Sequence, residues 1–224
     1  MEQFADRTDA GRELARALAR YAGRTDVIVL ALPRGGVVVG SEVARALGAP
    51  LDVFLVRKLG VPGHEELAMG AIATGGVCVM NEDVVRSLAI SEPDIRRVTE
   101  MEQAELERRE RTYRAGRPAP EVRGRTVLLV DDGLATGASM RAAVSALKAI
   151  GPAAIVVAVP TAPEETCAEF ERLVDELVCL TKPAPFFGVG GSYRNFSQTT
   201  DREVCALLEA AARRPTRAQG GSGP

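Results

Sequence analysis

Two adjacent acidic residues, Asp131 and Asp132, follow the apolar run at residues 127–130 and precede a short segment rich in Gly, Ala, Thr and Ser. Because these side chains are small, the backbone N–H groups of the segment can converge on an anion, and a helix that starts at once adds positive potential. The segment is therefore typical of a phosphate-binding loop, which the hydroxyl groups of Thr136 and Ser139 can complete. The alternative is an ordinary strand–loop–helix turn whose acidic residues are only solvated.

A ligand that carries a phosphate at one end and vicinal hydroxyl groups nearby would use both features. Ribose 5-phosphate is such a ligand: its phosphate would lie on residues 135–139, and its 2- and 3-hydroxyl groups would donate hydrogen bonds to the two carboxylates. The substrate-binding residues predicted in this way are Asp131, Asp132, Gly133, Ala135, Thr136, Gly137, Ala138 and Ser139.

Two other segments combine basic residues with a position next to an apolar run. The sequence Leu-Pro-Arg-Gly-Gly at residues 32–36 joins such a run to a helix-like segment, and taken alone it is an ordinary turn. Arg57 and Lys58 follow the run at residues 53–56, at what would be the carboxyl edge of a strand. Ligands of open α/β sheets bind at that edge, so a binding role is favoured over a solvated strand end.

Residues 59–76 contain five glycines and a Pro-Gly turn, which predicts a long loop. Loops of this length without regular structure are often lids or binding loops. His64, Glu65 and Glu66 are the only side chains on this segment that could transfer a proton. For His64, simple exposure to solvent is the alternative to a role as a base.

Residues 182–198 concentrate aromatic side chains in a chain that is only 4% aromatic. Phe187 and Tyr193 could each stack on a planar ligand. A buried core position is the equal alternative for each of them.

Short apolar runs alternate with amphipathic segments through most of the chain, which favours right-handed βαβ units. Because the runs are continuous rather than alternating, they suit strands buried on both faces of a parallel sheet. The predicted fold is therefore α/β, with an open, mostly parallel sheet, flanking helices and a small C-terminal element. Strands are predicted at residues 27–32, 53–56, 77–80, 127–130, 155–159 and 177–180, and helices at 9–21, 37–47, 91–116 and 139–150.

The helix predicted at residues 91–116 is highly charged and has Ser91 as its N-cap. Its apolar positions Ile95, Val98 and Met101 form only a narrow stripe. The simplest interpretation is a solvated helix with ion pairs between successive turns, and a partner-binding helix is the alternative.

Composition limits the class of protein. The 224 residues are 46% apolar and 26% charged, with a net charge of -2, so one domain at residues 1–212 is expected and no nucleic-acid partner is indicated. Residues 213–224 are rich in Gly, Pro, Arg and Ser, and this composition predicts a disordered tail. The absence of a long apolar stretch predicts no membrane partner. Four dispersed cysteines and a single histidine make a structural zinc site improbable and favour a reduced, cytoplasmic protein.

The run Val-Leu-Leu-Val-Asp131-Asp132-Gly-Leu-Ala-Thr136-Gly closely resembles the 5-phosphoribosyl 1-diphosphate (PRPP)-binding signature of type I phosphoribosyltransferases. The resemblance spans nearly the whole chain and extends to bacterial phosphoribosyltransferases whose acceptor is unassigned. It implies the type I phosphoribosyltransferase fold, transfer of 5-phosphoribosyl from PRPP to a nitrogenous, nucleobase-like acceptor, release of pyrophosphate, dependence on Mg2+ and a homodimer. The residues that would hold the metal are not identified, since substrate and water would supply most of its ligands.

The resemblance also implies roles for individual residues. Arg34, Gly35 and Gly36 correspond to the pyrophosphate loop, with a cis peptide expected near Arg34–Gly35. Residues 59–76 correspond to a flexible catalytic loop, and residues 182–200 to a hood over the acceptor that would use Phe187 or Tyr193. The predicted catalytic residues are Asp131, Asp132, Arg57, Lys58 and Glu66, of which Arg57 and Lys58 would also bind the diphosphate.

A regulatory protein that binds PRPP without turnover is the main alternative function. The pyrophosphate loop, the basic pair and the expected lid together favour the enzyme. A sensor would also be expected to carry a nucleic-acid-binding module, and the sequence has no basic appendage. A structural subunit without a nucleotide and a hydrolase that uses water as the acceptor are less favoured.

Overall fold

A computed structural model describes residues 3–214. Within that range the strands, in chain order, are β1 (Val27–Ala31), β2 (Leu51–Val53), β3 (Val56–Val61), β4 (His64–Ala73), β5 (Val77–Met80), β6 (Thr126–Val130), β7 (Ala154–Thr161) and β8 (Glu176–Thr181). The α-helices are α1 (Arg7–Ala17), α2 (Gly35–Leu47), α3 (Glu82–Ser87), α4 (Glu92–Arg114), α5 (Ala138–Ile150), α6 (Glu164–Leu173) and α7 (Asp201–Ala212). The sequence predicts a tail at residues 213–224, and residues 215–224 of it lie outside the described residues.

The main sheet has five strands in the order β2-β1-β6-β7-β8, and every neighbouring pair is parallel. The predicted α/β fold with an open, parallel sheet is therefore confirmed. Every residue of β1 and β6 is buried, because helices cover both faces of the sheet. Helices α1, α2 and α7 pack in one apolar cluster, and α5 and α6 in the other. Among residues 3–214 no helix is both long enough and apolar enough to cross a bilayer.

The prediction of an irregular loop at residues 59–76 is wrong, because most of the segment forms strands. Strands β3, β4 and β5 form a second, antiparallel sheet, and the Pro62-Gly63 turn joins β3 to β4. The strand predicted at residues 77–80 exists, but it belongs to this small sheet. Leu59, Met69 and Ile72 give the sheet a buried face against α4, which explains why the segment is ordered in spite of its glycines.

The charged helix predicted at residues 91–116 is confirmed as α4, and Ser91 caps it. Ion pairs join successive turns, for example Glu105 with Arg109 at 2.8 Å. Met101 is largely exposed, so the predicted apolar stripe is not continuous. The C-terminal end of α4 is anchored instead by Arg114, whose buried guanidinium lies beside Asp52 in β2, an edge strand of the main sheet.

Candidate active site

The two acidic residues lie at the carboxyl end of β6, the central strand of the main sheet. Strand β1 runs parallel beside it, so the turn that leads from β1 into α2 reaches the same edge. Gly35 and Gly36, at the start of α2, lie directly against Asp132 and Asp131. The structure therefore brings the predicted ribose-binding acids and the predicted pyrophosphate loop together.

The turn lies so close to the acid pair that neither Gly35 nor Gly36 could carry a side chain without a clash. A Cβ atom built on Gly35 would overlap a carboxylate oxygen of Asp132. A Cβ on Gly36 would lie 2.9 Å from both Cα and Oδ1 of Asp131, which real Cβ atoms essentially never approach. Glycine is thus required by proximity at both positions.

The peptide bond between Pro33 and Arg34 is cis. The sequence predicts a cis peptide near Arg34–Gly35, so the prediction is wrong by one residue, although the turn that carries it is the expected one. Arg34 itself is half-buried and immediately precedes α2.

The predicted phosphate-binding segment leads into α5, which begins at Ala138. Gly137 precedes the helix with φ = 71°, and a Cβ atom there would lie 2.6 Å from the ring of Phe170. Thr136 and Ser139 are exposed, so their hydroxyl groups can reach a ligand. Thr166 of α6 donates a hydrogen bond to the carbonyl oxygen of Ala135 at 3.0 Å and holds the segment in place. The first amides of α5 have no partner within the helix, which makes this end a suitable anion site.

Asp131 is in an unfavourable environment for a negative charge. Desolvation raises its pKa well above the usual value, and the neighbouring carboxylate of Asp132 raises it further. The backbone N–H of Asp132 donates a hydrogen bond to Oδ1 of Asp131 at 2.8 Å, which opposes that rise. A carboxyl group whose pKa is strongly perturbed by burial and by a neighbouring charge marks a candidate functional site.

Arg7, from the first turn of α1, also enters the site. Its Nε donates a hydrogen bond to Oδ2 of Asp132 at 2.7 Å, and its Nη1 donates to the carbonyl oxygen of Ser197 at 2.7 Å. The guanidinium carbon lies 3.8 Å from the ring centroid of Phe196. The side chains of Arg7 and Asp132 are only 12% and 14% exposed, so this ion pair is shielded from water.

Tyr193 forms part of the wall behind Asp132. Its ring is buried between Phe4 and Phe196, and its hydroxyl group donates a hydrogen bond to the backbone carbonyl of Asp132 at 2.6 Å. Burial raises the pKa of Tyr193, and the charge of Asp132 raises it further, so the hydroxyl group stays a donor. Of the two open alternatives for this ring, the structure shows the buried one.

Phe187 is exposed to 88%, the largest value for a large apolar side chain in the described residues. It lines a cavity of about 640 Å³ together with Phe186, Asp9 and Glu13. Ligand sites in proteins have volumes of this order. Arg7 and Asp9 project from different faces of α1, since successive residues turn by about 100°. The cavity and the contact between Arg7 and Asp132 therefore lie on different faces of α1. The cavity is on the side of α1 that adjoins the hood.

Arg57 and Lys58 do not stand at the carboxyl edge of a strand, as the sequence predicts, but within β3 of the small sheet. Nε of Arg57 donates a hydrogen bond to Oε2 of Glu102 in α4 at 2.6 Å. Lys58 is exposed, and its Nζ donates to the backbone carbonyl of Glu66 on β4 at 3.1 Å. The side chain of Glu66 is fully exposed, and His64 is exposed as well. These predicted catalytic residues thus share one hairpin, and their contacts are with the hairpin and α4 rather than with the acid pair.

Sequence patterns do not predict three contacts of the site. These are the ion pair of Arg7 with Asp132, the hydrogen bond from Thr166 to Ala135, and the hydrogen bond from Tyr193 to the backbone of Asp132. Arg7 is separated from Asp132 by 125 residues, and nothing in its local sequence distinguishes it from the other arginines of α1. Thr166 lies in α6, a helix absent from those predicted. Only the packing of the termini and helices on the sheet reveals these contacts.

Comparison with known proteins agrees with this geometry. Residues 2–193 match the model of the family described as phosphoribosyl transferase domain. Two curated proteins of Mycobacterium tuberculosis, from strains CDC 1551 and H37Rv, are each 50% identical to the chain over 213 residues, and their names give phosphoribosyl transferase as a provisional assignment. The match covers 95% of this chain and 48% of each relative, so the chain spans about half the length of the curated relatives it matches.

A crystal structure of the protein TT1426 from Thermus thermophilus is 44% identical in sequence. It superimposes with a TM-score of 0.83 and covers 93% of this chain and 98% of its own. The resemblance inferred from the acid pair and the segment after it is therefore confirmed across nearly the whole sequence, and the chain belongs to the phosphoribosyl transferase domain family.

Proposed function

We propose that the protein transfers the 5-phosphoribosyl group of PRPP to a nitrogenous, nucleobase-like acceptor with release of pyrophosphate. The observation that carries the proposal is the direct packing of Gly35 and Gly36 on Asp132 and Asp131. That packing places a turn suited to a diphosphate next to carboxylates suited to ribose hydroxyl groups. The N-terminus of α5 follows the acid pair by only a few residues and suits the 5-phosphate.

Each group of residues has a separate task in this reaction. Asp131 and Asp132 accept hydrogen bonds from the ribose and favour the positive charge that develops on it. The amides of Gly35 and Gly36, with Arg34, stabilise the negative charge that develops on the leaving diphosphate, which is electrostatic catalysis where the charge appears. Thr136 and Ser139 hold the 5-phosphate and so fix the position of the reacting carbon.

Magnesium fits the donor atoms of this site. Mg2+ prefers hard oxygen ligands and is usually bound by one or two carboxylates together with substrate phosphates and water. Asp131 and Asp132 provide carboxylates of this kind, and among residues 3–214 no group of three or more His, Cys, Asp or Glu forms a cage for a metal. These two residues would hold the ion with the substrate, and the ion would neutralise negative charge on the diphosphate.

The hairpin β3–β4 is proposed to close over the bound donor. It carries Arg57, Lys58 and Glu66, and its turn and tip are exposed. Closure would bring the basic residues to the diphosphate and exclude water, as lids do in other enzymes. The acceptor would stack on Phe187, whose exposed ring would have to move from the cavity toward the acid pair for this contact.

The first test is calorimetric titration of the protein with PRPP and Mg2+, beside the double variant Asp131→Asn, Asp132→Asn. We expect binding in the micromolar range, about -8 kcal/mol, that is lost in the variant. Circular dichroism establishes that the variant is folded. No binding by the unmodified protein would overturn the proposal while leaving the fold untouched.

The second test separates transfer from mere binding. Pyrophosphate release is followed with PRPP, Mg2+ and a panel of purine and pyrimidine bases, with a sample that lacks a base as control. Release that depends on one base identifies the transferase and its acceptor. Tight binding without release with any base would favour the regulatory alternative, and base-independent release would indicate hydrolysis.

A further inference from the structure

The guanidinium of Arg7 lies where the two halves of the proposed substrate site meet. Its Nε contacts Oδ2 of Asp132 at 2.7 Å, on the ribose side. The same Nε would lie 2.6 Å from a Cβ atom built on Gly35, on the diphosphate side. Because a Cα–Cβ bond is about 1.5 Å long, Arg7 is within van der Waals range of the turn that begins α2. No other basic side chain among the described residues contacts Asp132.

The contacts of Arg7 use only part of its hydrogen-bonding capacity. A guanidinium has five N–H donors, and here Nε donates to Asp132 and Nη1 to the carbonyl oxygen of Ser197. The stack on Phe196 and the low exposure of the side chain fix its orientation. A rigid cation with donors to spare, held against a glycine turn, is suited to bidentate recognition of an anionic oxygen pair.

Asp132 can keep this partner while it binds substrate. A carboxylate offers about four acceptor positions, and Arg7 occupies one on Oδ2. The remaining positions can accept the ribose hydroxyl groups. Arg7 therefore has no need to leave when the ribose enters.

We propose that Arg7 is a substrate-binding residue that contacts the diphosphate of PRPP at its junction with the ribose, in addition to orienting Asp132. This inference rests on the proposed function. It assigns to α1, at the N-terminal side of the chain, a direct part in binding the leaving group. The positive charge of Arg7 would stabilise the departing diphosphate, while Asp132 shields the ribose from that charge.

The test uses two fragments of the substrate, pyrophosphate and ribose 5-phosphate, each titrated with Mg2+ into the full chain. Arg7→Gln is expected to weaken pyrophosphate binding at least tenfold and ribose 5-phosphate binding less than threefold. Arg12→Gln is the matched control, since Arg12 lies on the same helix, is exposed and pairs with Glu42. It should bind both fragments as the unmodified protein does. A loss confined to ribose 5-phosphate would show that Arg7 acts only by orienting Asp132 and would overturn the proposal.

A double-mutant cycle with Asp132→Asn distinguishes direct contact from an effect through Asp132. If Arg7 contacts the diphosphate, Arg7→Gln still weakens pyrophosphate binding at least tenfold in the Asp132→Asn background. If it acts only through Asp132, the effect disappears there, and the proposal fails.

Arg7→Lys is the variant to use if Arg7→Gln does not fold, because it keeps the charge. Its single ammonium group cannot reproduce two contacts and the stack, so we expect pyrophosphate binding three- to tenfold weaker. Unchanged binding in this variant would contradict bidentate recognition. If the unmodified protein binds neither fragment nor PRPP, the proposed function itself fails, which is a different result from selective loss in the Arg7 variants.

Discussion

The acid-pair region and the β3–β4 hairpin are both predicted to act on PRPP, and they are built in opposite ways. Asp131, Asp132 and the turn at Gly35–Gly36 follow the ends of two buried parallel strands and touch one another. Lys58 and Glu66 stand on an exposed antiparallel hairpin and contact mainly each other. A substrate with several charged groups needs a rigid site to fix its position and a movable element to admit it. Under the proposed function, the difference separates residues that would hold the donor from residues that would act on it after closure.

The largest expected effect comes from filling the contact between the glycine turn and the acid pair. Gly36→Ala places a methyl group 2.9 Å from the backbone and side chain of Asp131, which must then move. We expect PRPP binding to weaken by more than about a hundredfold, with a loss of about 1–3 kcal/mol in stability, as for other overpacked sites. Calorimetry and thermal unfolding measure the two effects.

The control substitution lies in the hairpin turn. Gly63 has φ = 77° and nothing within 4 Å of a built Cβ atom. Gly63→Ala should therefore cost only the backbone strain of about 1 kcal/mol and leave PRPP binding unchanged. Equal loss of binding in the two variants would remove the distinction between a rigid site and a movable hairpin.

A smaller effect is expected from Lys58→Ala, and it should appear in turnover rather than in donor affinity. If the hairpin closes only as the reaction proceeds, Lys58 meets the diphosphate chiefly in the transition state. We expect kcat to fall about tenfold, in line with the loss of one charged hydrogen bond, while the Kd for PRPP changes less than threefold. Lys148→Ala, on the exposed end of α5, is the control. A change in Kd that equals the change in kcat would place Lys58 in the rigid part of the site.

The raised pKa of Asp131 predicts a dependence of stability on pH. The folded state holds this proton more tightly than the unfolded state. Stability should therefore fall as pH rises from about 4 through the raised pKa. Asp131→Asn replaces the titrating carboxyl group by a neutral amide and should raise the Tm at about pH 7.5, by roughly 2–4 °C for each kcal/mol gained. The gain should shrink as the pH approaches about 4.

Glu66→Gln provides the matched comparison, because that side chain is fully exposed on the hairpin. Its Tm should follow that of the unmodified protein across the same pH range. A gain for Asp131→Asn that stayed constant across that range would show that packing, not the charge, causes it.

The smallest effect is expected at His64. Its side chain is exposed at the start of β4, and the described contacts do not connect it to the acid pair. His64→Gln should leave kcat with PRPP within about twofold, whereas a general base contributes about 10²–10⁴-fold. A loss of that size would identify His64 as the base and the hairpin as its carrier.

The same two regions differ in how well they could be predicted. The segment from Asp131 to Ser139 is contiguous in sequence, and buried strands, glycines and an N-terminal helix turn are local signals. The sequence pattern misleads at the β3–β4 hairpin, because five glycines suggest a loop. Its ordering depends on Leu59, Met69 and Ile72 packing on α4, which is a contact between distant segments.

By itself, the sequence determined the parallel sheet and the segment, with its acid pair, that is predicted to bind phosphate. Continuous apolar runs and small residues at a strand–helix junction act within a few residues of one another. Only the tertiary structure decided that Arg7 pairs with Asp132, that Tyr193 is a wall rather than an exposed platform, and that Arg57 and Lys58 lie inside a hairpin. The contacts of Arg7 and Tyr193 join residues far apart in the chain, and the hairpin is ordered by its packing on α4. They depend on how the N-terminal helix, the hood and the small sheet pack around the carboxyl ends of the strands.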